Sequence, residues 1–135
     1  VDEAVMMAGV IRALAHTCYQ DALNEQPVVA VRGEMLKGAM WKASRYGLGG
    51  KLIDFRQMQS VSAKESVRRL LEYIEPALNT YGDESIVFDE VERSLSEGNS
   101  AQRQRQVYVE TGDLESVVDE IVRRSALSID LDKHR

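Results

Sequence analysis

The sequence predicts a mainly α fold: about six helices and one short glycine-rich hairpin or loop, forming a single helical domain over residues 1–127 with a tail at 128–135. Three observations predict it. Apolar residues recur three and four positions apart in separate windows, the period of a helix with one buried side. Glycine follows most of those windows, at Gly47, Gly82, Gly98 and Gly112, where a helix can end in the left-handed conformation that glycine reaches without steric cost. A single glycine cluster, Gly47-Leu48-Gly49-Gly50, interrupts the helical pattern.

The first helix is expected from about Asp2 to Leu23, with Ala4, Ala8, Ile11, Ala15 and Cys18 as its apolar face, flanked by Met7 and Leu14. Arg12, His16 and Gln20 fall on the opposite side, and Asp2 and Glu3 suit the positive end of the helix dipole. Pro27 closes the connection. A second helix spans about Arg32 to Tyr46 and ends at Gly47, after which Lys51 to Phe55 is the best strand candidate. The third helix opens on Ser62-Ala63-Lys64-Glu65, a capping box, and buries Val67, Leu70, Leu71, Ile74 and Leu78. Pro76 lies inside it, so a kink or an early end is expected near Glu72 to Glu75. The fourth, from Asp83 to Glu97, turns Val87, Phe88, Val91 and Leu95 inward, leaving Asp89, Glu90 and Glu92 outside. The fifth runs from Ser100 to Glu110. The sixth starts at an Asp113 cap and buries Leu114, Val117, Val118, Ile121 and Val122. The tail from Ser128 to Arg135 has no sustained period and is expected to fray.

Composition narrows the function classes. Lys plus Arg is 17 against 22 Asp plus Glu, a net charge of −5, which argues against a nucleic-acid binder but leaves room for a local basic pocket. Cys18 is the single cysteine, so no internal disulfide can form and a reducing, cytoplasmic setting is expected. No apolar run reaches membrane-spanning length and no secretory leader is readable. Val1 already lies inside a helical pattern without an initiator Met, so a piece of a longer protein is expected.

Two segments carry side chains that a purely structural helix would not require. In the second helix, Glu34, Gly38, Trp41 and Arg45 share one face. A planar guanidinium one turn from an indole can stack on it or reach past it to a carboxylate or phosphate. Arg45 and Lys42 are therefore candidates for neutralising an anionic substrate. The competing reading makes Trp41 a core anchor and pairs Arg45 with an acid. In the fifth helix, Arg103, Gln104 and Arg105 follow Ser100 on the first turns, where free amides attract anions. Their plain alternative is a solvated face balanced by Glu97 and Glu110. The Gly47–Lys51 loop lacks the longer glycine spacing and the Ser or Thr after Lys that a phosphate-cradling loop needs. No metal site is readable from His16, Cys18 and His134, and no nucleophile–base grouping has local support.

Trp41-Lys42-Ala43-Ser44-Arg45-Tyr46-Gly47-Leu48, continuing to Gly49-Gly50, resembles the Trp-(Arg/Lys)-Ala-x-Arg-(Tyr/His)-Gly-Leu segment of the type 2 glutamate–cysteine ligases, also called carboxylate–amine ligases. Gly98-x-Ser100-Ala101-x-Arg103-Gln104 resembles a second segment of that family, and Asp2-Glu3-Ala4-Val5 with Ala8 a third. The likeness extends to about Arg124. It implies the helical carboxy-terminal part of a glutamine-synthetase-like α+β ligase, in which ATP phosphorylates a glutamate carboxylate and an amine such as cysteine's attacks the acyl phosphate. It implies ATP and Mg2+ as cofactors, their ligands mostly outside this chain. It implies glutamate, cysteine or another amine, and the remainder of the ligase chain as partners, with a homo-oligomer left open and neither nucleic acid nor membrane. By the same resemblance Arg45 and Arg103 give catalytic cationic support, while Trp41, Lys42 and Gln104 contact substrate. Gly38, Ala39 and Met40 stand where family members usually carry Glu-Asn before the Trp. That departure keeps a second class open, a non-catalytic helical interaction or regulatory module.

Overall fold

The computed structural model describes residues 2–126, and the expected tail at 128–135 and His134 lie outside them. Six α-helices and one hairpin follow in order: α1 (Asp2–Leu23), α2 (Gly33–Tyr46), a 3-10 turn (Gly47–Gly49), β1 (Lys51–Asp54), β2 (Gln59–Ser62), α3 (Ala63–Tyr81), α4 (Glu84–Glu97), α5 (Ser100–Thr111) and α6 (Leu114–Ala126). The mainly α expectation is met, and the expected strand at Lys51 is half of an antiparallel pair whose register sets Lys51 opposite Ser62 and Asp54 opposite Gln59. Asp54 Oδ1 accepts the Arg56 and Gln57 amides and so closes the hairpin turn.

The core is a layer of α1 on the antiparallel α3–α4 pair. Leu71, Ile74, Ala77 and Leu78 of α3 meet Val87, Val91 and Leu95 of α4 and Ala13 of α1, with Val67, Leu70 and Phe88 packed at the margin. Ser62 Oγ accepts the Glu65 amide, one half of the expected capping box, while the Glu65 carboxylate turns to Arg69 instead of the Ser62 amide. Helix α3 does not end early at Pro76 but runs to Tyr81. Proline frees only the Glu72 carbonyl, on the exposed side, at roughly 3 kcal/mol. Ile74 and Leu78 are fully buried, and each such side chain returns about 1.5–3 kcal/mol.

Three expectations are corrected. Helix α1 is turned: Ala4, Ala8, Ile11, Ala15 and Cys18 face outward, with Ile11 61% exposed, and Gly9, Val10, Ala13 and Leu14 face the core. The helix is apolar on both sides, and size decides between them. A Cβ on Gly9 would stand 2.8 Å from Val87 Cγ2, so only the small side admits so close an approach. Beside that packed side Arg12, exposed as expected, pairs with Asp83, and the half-buried His16 hydrogen-bonds with the Tyr81 hydroxyl. Helix α6 leaves Leu114, Val118, Ile121 and Val122 exposed, because α5 is its main neighbour and covers little of that stripe. Glu90, expected outside, is buried beside Val87 and Val91 and is paired with Arg93.

Candidate functional site

Helix α2 is held by β1 and the 3-10 turn and stays clear of the core. Its last two turns therefore present side chains to solvent. Trp41 and Tyr46 are 58% and 54% exposed, and their rings meet edge to face with centroids 6.2 Å apart. The Arg45 guanidinium lies over both, 5.6 Å from the indole centroid and 5.8 Å from the phenol. Trp41 is thus no core anchor, and no acid among the described residues pairs with Arg45 or Lys42. The wider segment shares that character. Residues 32–56 hold Arg32, Lys37, Lys42, Arg45, Lys51 and Arg56 against Glu34 and Asp54 alone, and Asp54 is taken by Arg69. An acidic chain thus carries a locally cationic segment, in which Arg45 lies over two aromatic rings.

Arg103 is differently placed. Its Nη2 donates to Glu3 Oε1 at 2.7 Å, its Nη1 donates to the Gly98 carbonyl, and its Nε is buried without a hydrogen-bond partner. Helix α5 begins with a capping box that sequence reading missed: Asn99 Oδ1 accepts the Gln102 amide at 2.9 Å and Gln102 Oε1 accepts the Asn99 amide at 3.0 Å. Asn with Gln three positions on was the available signal. A Cβ on Gly98, at φ +87°, would stand 3.1 Å from Gln102 Oε1, a tight contact on a backbone that already favours glycine. Gln104 is half-buried and Arg105 is exposed.

The fold brings the two motif segments together end to end. A Cβ on Gly47, which sits at φ +53°, would lie 4.0 Å from Asn99 Nδ2, so the end of α2 abuts the start of α5. Beside this junction opens a cavity of about 610 Å³ lined by Leu48, Gly49, Lys64, Leu95, Arg103 and Arg124. Its cations are engaged within the chain, Lys64 on the Leu95 carbonyl at 2.7 Å and Arg124 on Glu120. Trp41, Lys42 and Arg45 are not among its lining residues. Among the described residues no group of three or more His, Cys, Asp or Glu is placed to hold a metal ion.

The family model described as Glutamate-cysteine ligase family 2 matches residues 1–120. A protein named "Putative glutamate--cysteine ligase 2" from Herpetosiphon aurantiacus is 35% identical over 133 residues, 98% of this chain and 34% of that protein. "Putative glutamate--cysteine ligase 2-2" from Frankia alni is 36% identical over 125 residues, 93% of this chain and 33% of the relative. The Sorangium cellulosum protein of the first name is 32% identical over 129 residues, 96% and 34% of the two chains. The chain thus spans about a third of the length of these relatives. With its motif segments in order along nearly its whole length, this chain belongs to the glutamate–cysteine ligase family 2.

Proposed function

We propose that this chain supplies the cationic segment of an ATP-dependent carboxylate–amine ligase, which joins glutamate to cysteine or another amine through a γ-glutamyl amide bond. The observation that carries the reading is Arg45: a guanidinium steered by two rings, with no acid to neutralise it. Such a group makes paired hydrogen bonds to phosphate or carboxylate oxygens, and its ring contacts fix the plane in which it offers them. Lys42, one turn back and equally unpaired, adds a point charge.

These donors fit a nucleotide's phosphates or a substrate carboxylate. When bound, ATP supplies the phosphoryl group that turns the γ-carboxylate of glutamate into an acyl phosphate, whose carbonyl the amine then attacks, expelling phosphate. Arg45 and Lys42 hold the oxygens on which charge gathers, Trp41 shields them from water on one side, and Gln104 donates to substrate or to a neighbouring loop. Arg103 gives cationic support from a position fixed by Glu3 and the Gly98 carbonyl. Among the described residues no group of three or more His, Cys, Asp or Glu is placed to hold Mg2+, which accords with a site whose ligands come mostly from elsewhere in a ligase and from the nucleotide phosphates. A cytoplasmic setting accords with these substrates, and no described helix is long and apolar enough to cross a membrane.

The test is glutamate- and amine-dependent ADP release by a ligase chain carrying these 135 residues. Arg45→Ala is expected to lower kcat roughly 100-fold, the order seen when one transition-state donor is lost, with helix content unchanged. Undiminished turnover removes Arg45 from the site. Absence of glutamate-dependent ADP release from the unsubstituted chain overturns the ligase reading.

A further inference from the structure

Helix α1 is apolar where it meets the core and apolar on the side it leaves exposed. Ala4, Ala8, Ile11, Ala15, Cys18 and Ala22 recur at alternating intervals of four and three on its free side, all exposed. Met7 and Tyr19, 50% and 62% exposed, widen that side to roughly 120° of the helical wheel at 100° per residue, with no charge inside the arc. A helix apolar on both faces belongs to the middle of a larger packed unit. An arc this wide exceeds the narrow seam that two helices of a dimer share, and fits a broad layer of several elements. The size of such a layer is given by the relatives, whose matched third sits in chains about three times as long.

We propose that the free face of α1 is the docking surface for the two thirds of a ligase chain that these relatives carry outside the matched third. The inference rests on the ligase reading for the identity of its occupant. It does not rest on it for the face itself. With α3 and α4 on one side and that layer on the other, α1 becomes the central helix of the assembled enzyme and joins the segment bearing Arg45 to the rest of the catalytic machinery.

The test co-expresses this chain with the unmatched two thirds of the Herpetosiphon aurantiacus protein. A 1:1 complex by native mass spectrometry is expected. Cys18, exposed on the free face and the single cysteine of this chain, serves as a footprint. Its alkylation by iodoacetamide, read from the mass of this chain, is expected to slow at least tenfold in the complex. Ile11→Asp with Ala15→Asp is expected to weaken the complex at least 100-fold, with the circular dichroism of the free chain unchanged. Failure to form a complex, a complex in which Cys18 reacts as fast as before, or a homodimer of this chain that protects Cys18 overturns the proposal. A complex that protects Cys18 but releases no ADP with glutamate and amine leaves the docking face standing and removes the ligase reading alone.

Discussion

Arg103 Nη2 donates to Glu3 Oε1 at 2.7 Å across 100 positions of sequence, tying the start of α5 to the first turn of α1. Sequence reading gave Glu3 to the helix dipole and Arg103 to an anion. The fold pairs the two, and leaves Arg103 Nε without a hydrogen-bond partner.

The pair has a pH signature. Burial raises the Glu3 carboxyl, but the hydrogen bonds from Arg103 and Ser100 outweigh it and hold its pKa below the ordinary 4.5. A carboxylate depressed in the folded state adds stability above its unfolded pKa and loses it as pH falls through the folded one. Glu3 is 38% exposed, which screens the pair to about 1 kcal/mol or less. Glu3→Gln is expected to lower the urea midpoint near pH 6, with the gap to the wild type closing as pH falls toward about 3. A gap that is constant over that range would show that the charge contributes nothing.

Two glycines in helix interiors are expected to respond in opposite directions to the same substitution. Gly9 faces Val87, whose branched side chain is fully buried and cannot move aside. Gly9→Ala therefore sets an overpacking cost of about 1–3 kcal/mol against a helix-propensity gain of up to about 1, a net loss. Nothing lies within 4 Å of a Cβ at Gly38, on exposed α2, so Gly38→Ala is expected to gain about 0.5–1 kcal/mol. Thermal melts of both variants decide the matter, and equal shifts would refute the close approach of α1 to α4.

Tyr73 provides a spectroscopic check on how the end of α1 meets α3. Its hydroxyl donates to Asp21, and that hydrogen bond, followed by burial, pushes its pKa up to about 12. The raised value stabilises the fold below the ordinary pKa of 10.0, and that contribution disappears as pH rises through the folded value. Of the five tyrosines, one is expected to ionise late in an absorbance titration, and Asp21→Asn should bring it back toward 10. An unchanged titration curve in that variant would separate Tyr73 from Asp21.

What was legible in the sequence is what a local pattern specifies. Ser62 and Glu65 announce the start of α3, Gly82 and Gly112 end their helices at positive φ, and Leu71, Ile74 and Leu78 trace a stripe with no apolar rival. The outward turn of α1 was not legible, because Gly9 and Ala13 look weaker than Ile11 on any hydrophobic count, yet their small size is what lets another helix close on them. Glu90 was missed for a related reason: its charge argued for solvent while its phase with Val87 and Val91 placed it inside. At the candidate site, the exposure of Arg45 followed from α2 lying off the core, a fact of tertiary packing. The anchoring of Arg103 depended on a residue 100 positions away.

The turned helix makes the sharpest test of the packing, because the two possible faces of α1 predict different numbers for one substitution. Leu71, 3% exposed in the α3 stripe, is expected to cost about 2–5 kcal/mol on truncation to Ala, the range for a large core side chain that leaves a cavity. Ile11, were it the inner residue that periodicity suggests, would fall in the same range. At 61% exposure it has little burial to lose, and Ile11→Ala should stay within about 0.5 kcal/mol of the wild type in the isolated chain. Denaturant unfolding of the two variants side by side measures the contrast directly. A loss above about 2 kcal/mol at Ile11 would place that side of α1 in the core and Ala13 outside it. A small effect at Ile11 in the isolated chain, growing to core-like size once the docked layer is present, is the pattern expected of a helix that is central only in the assembled enzyme.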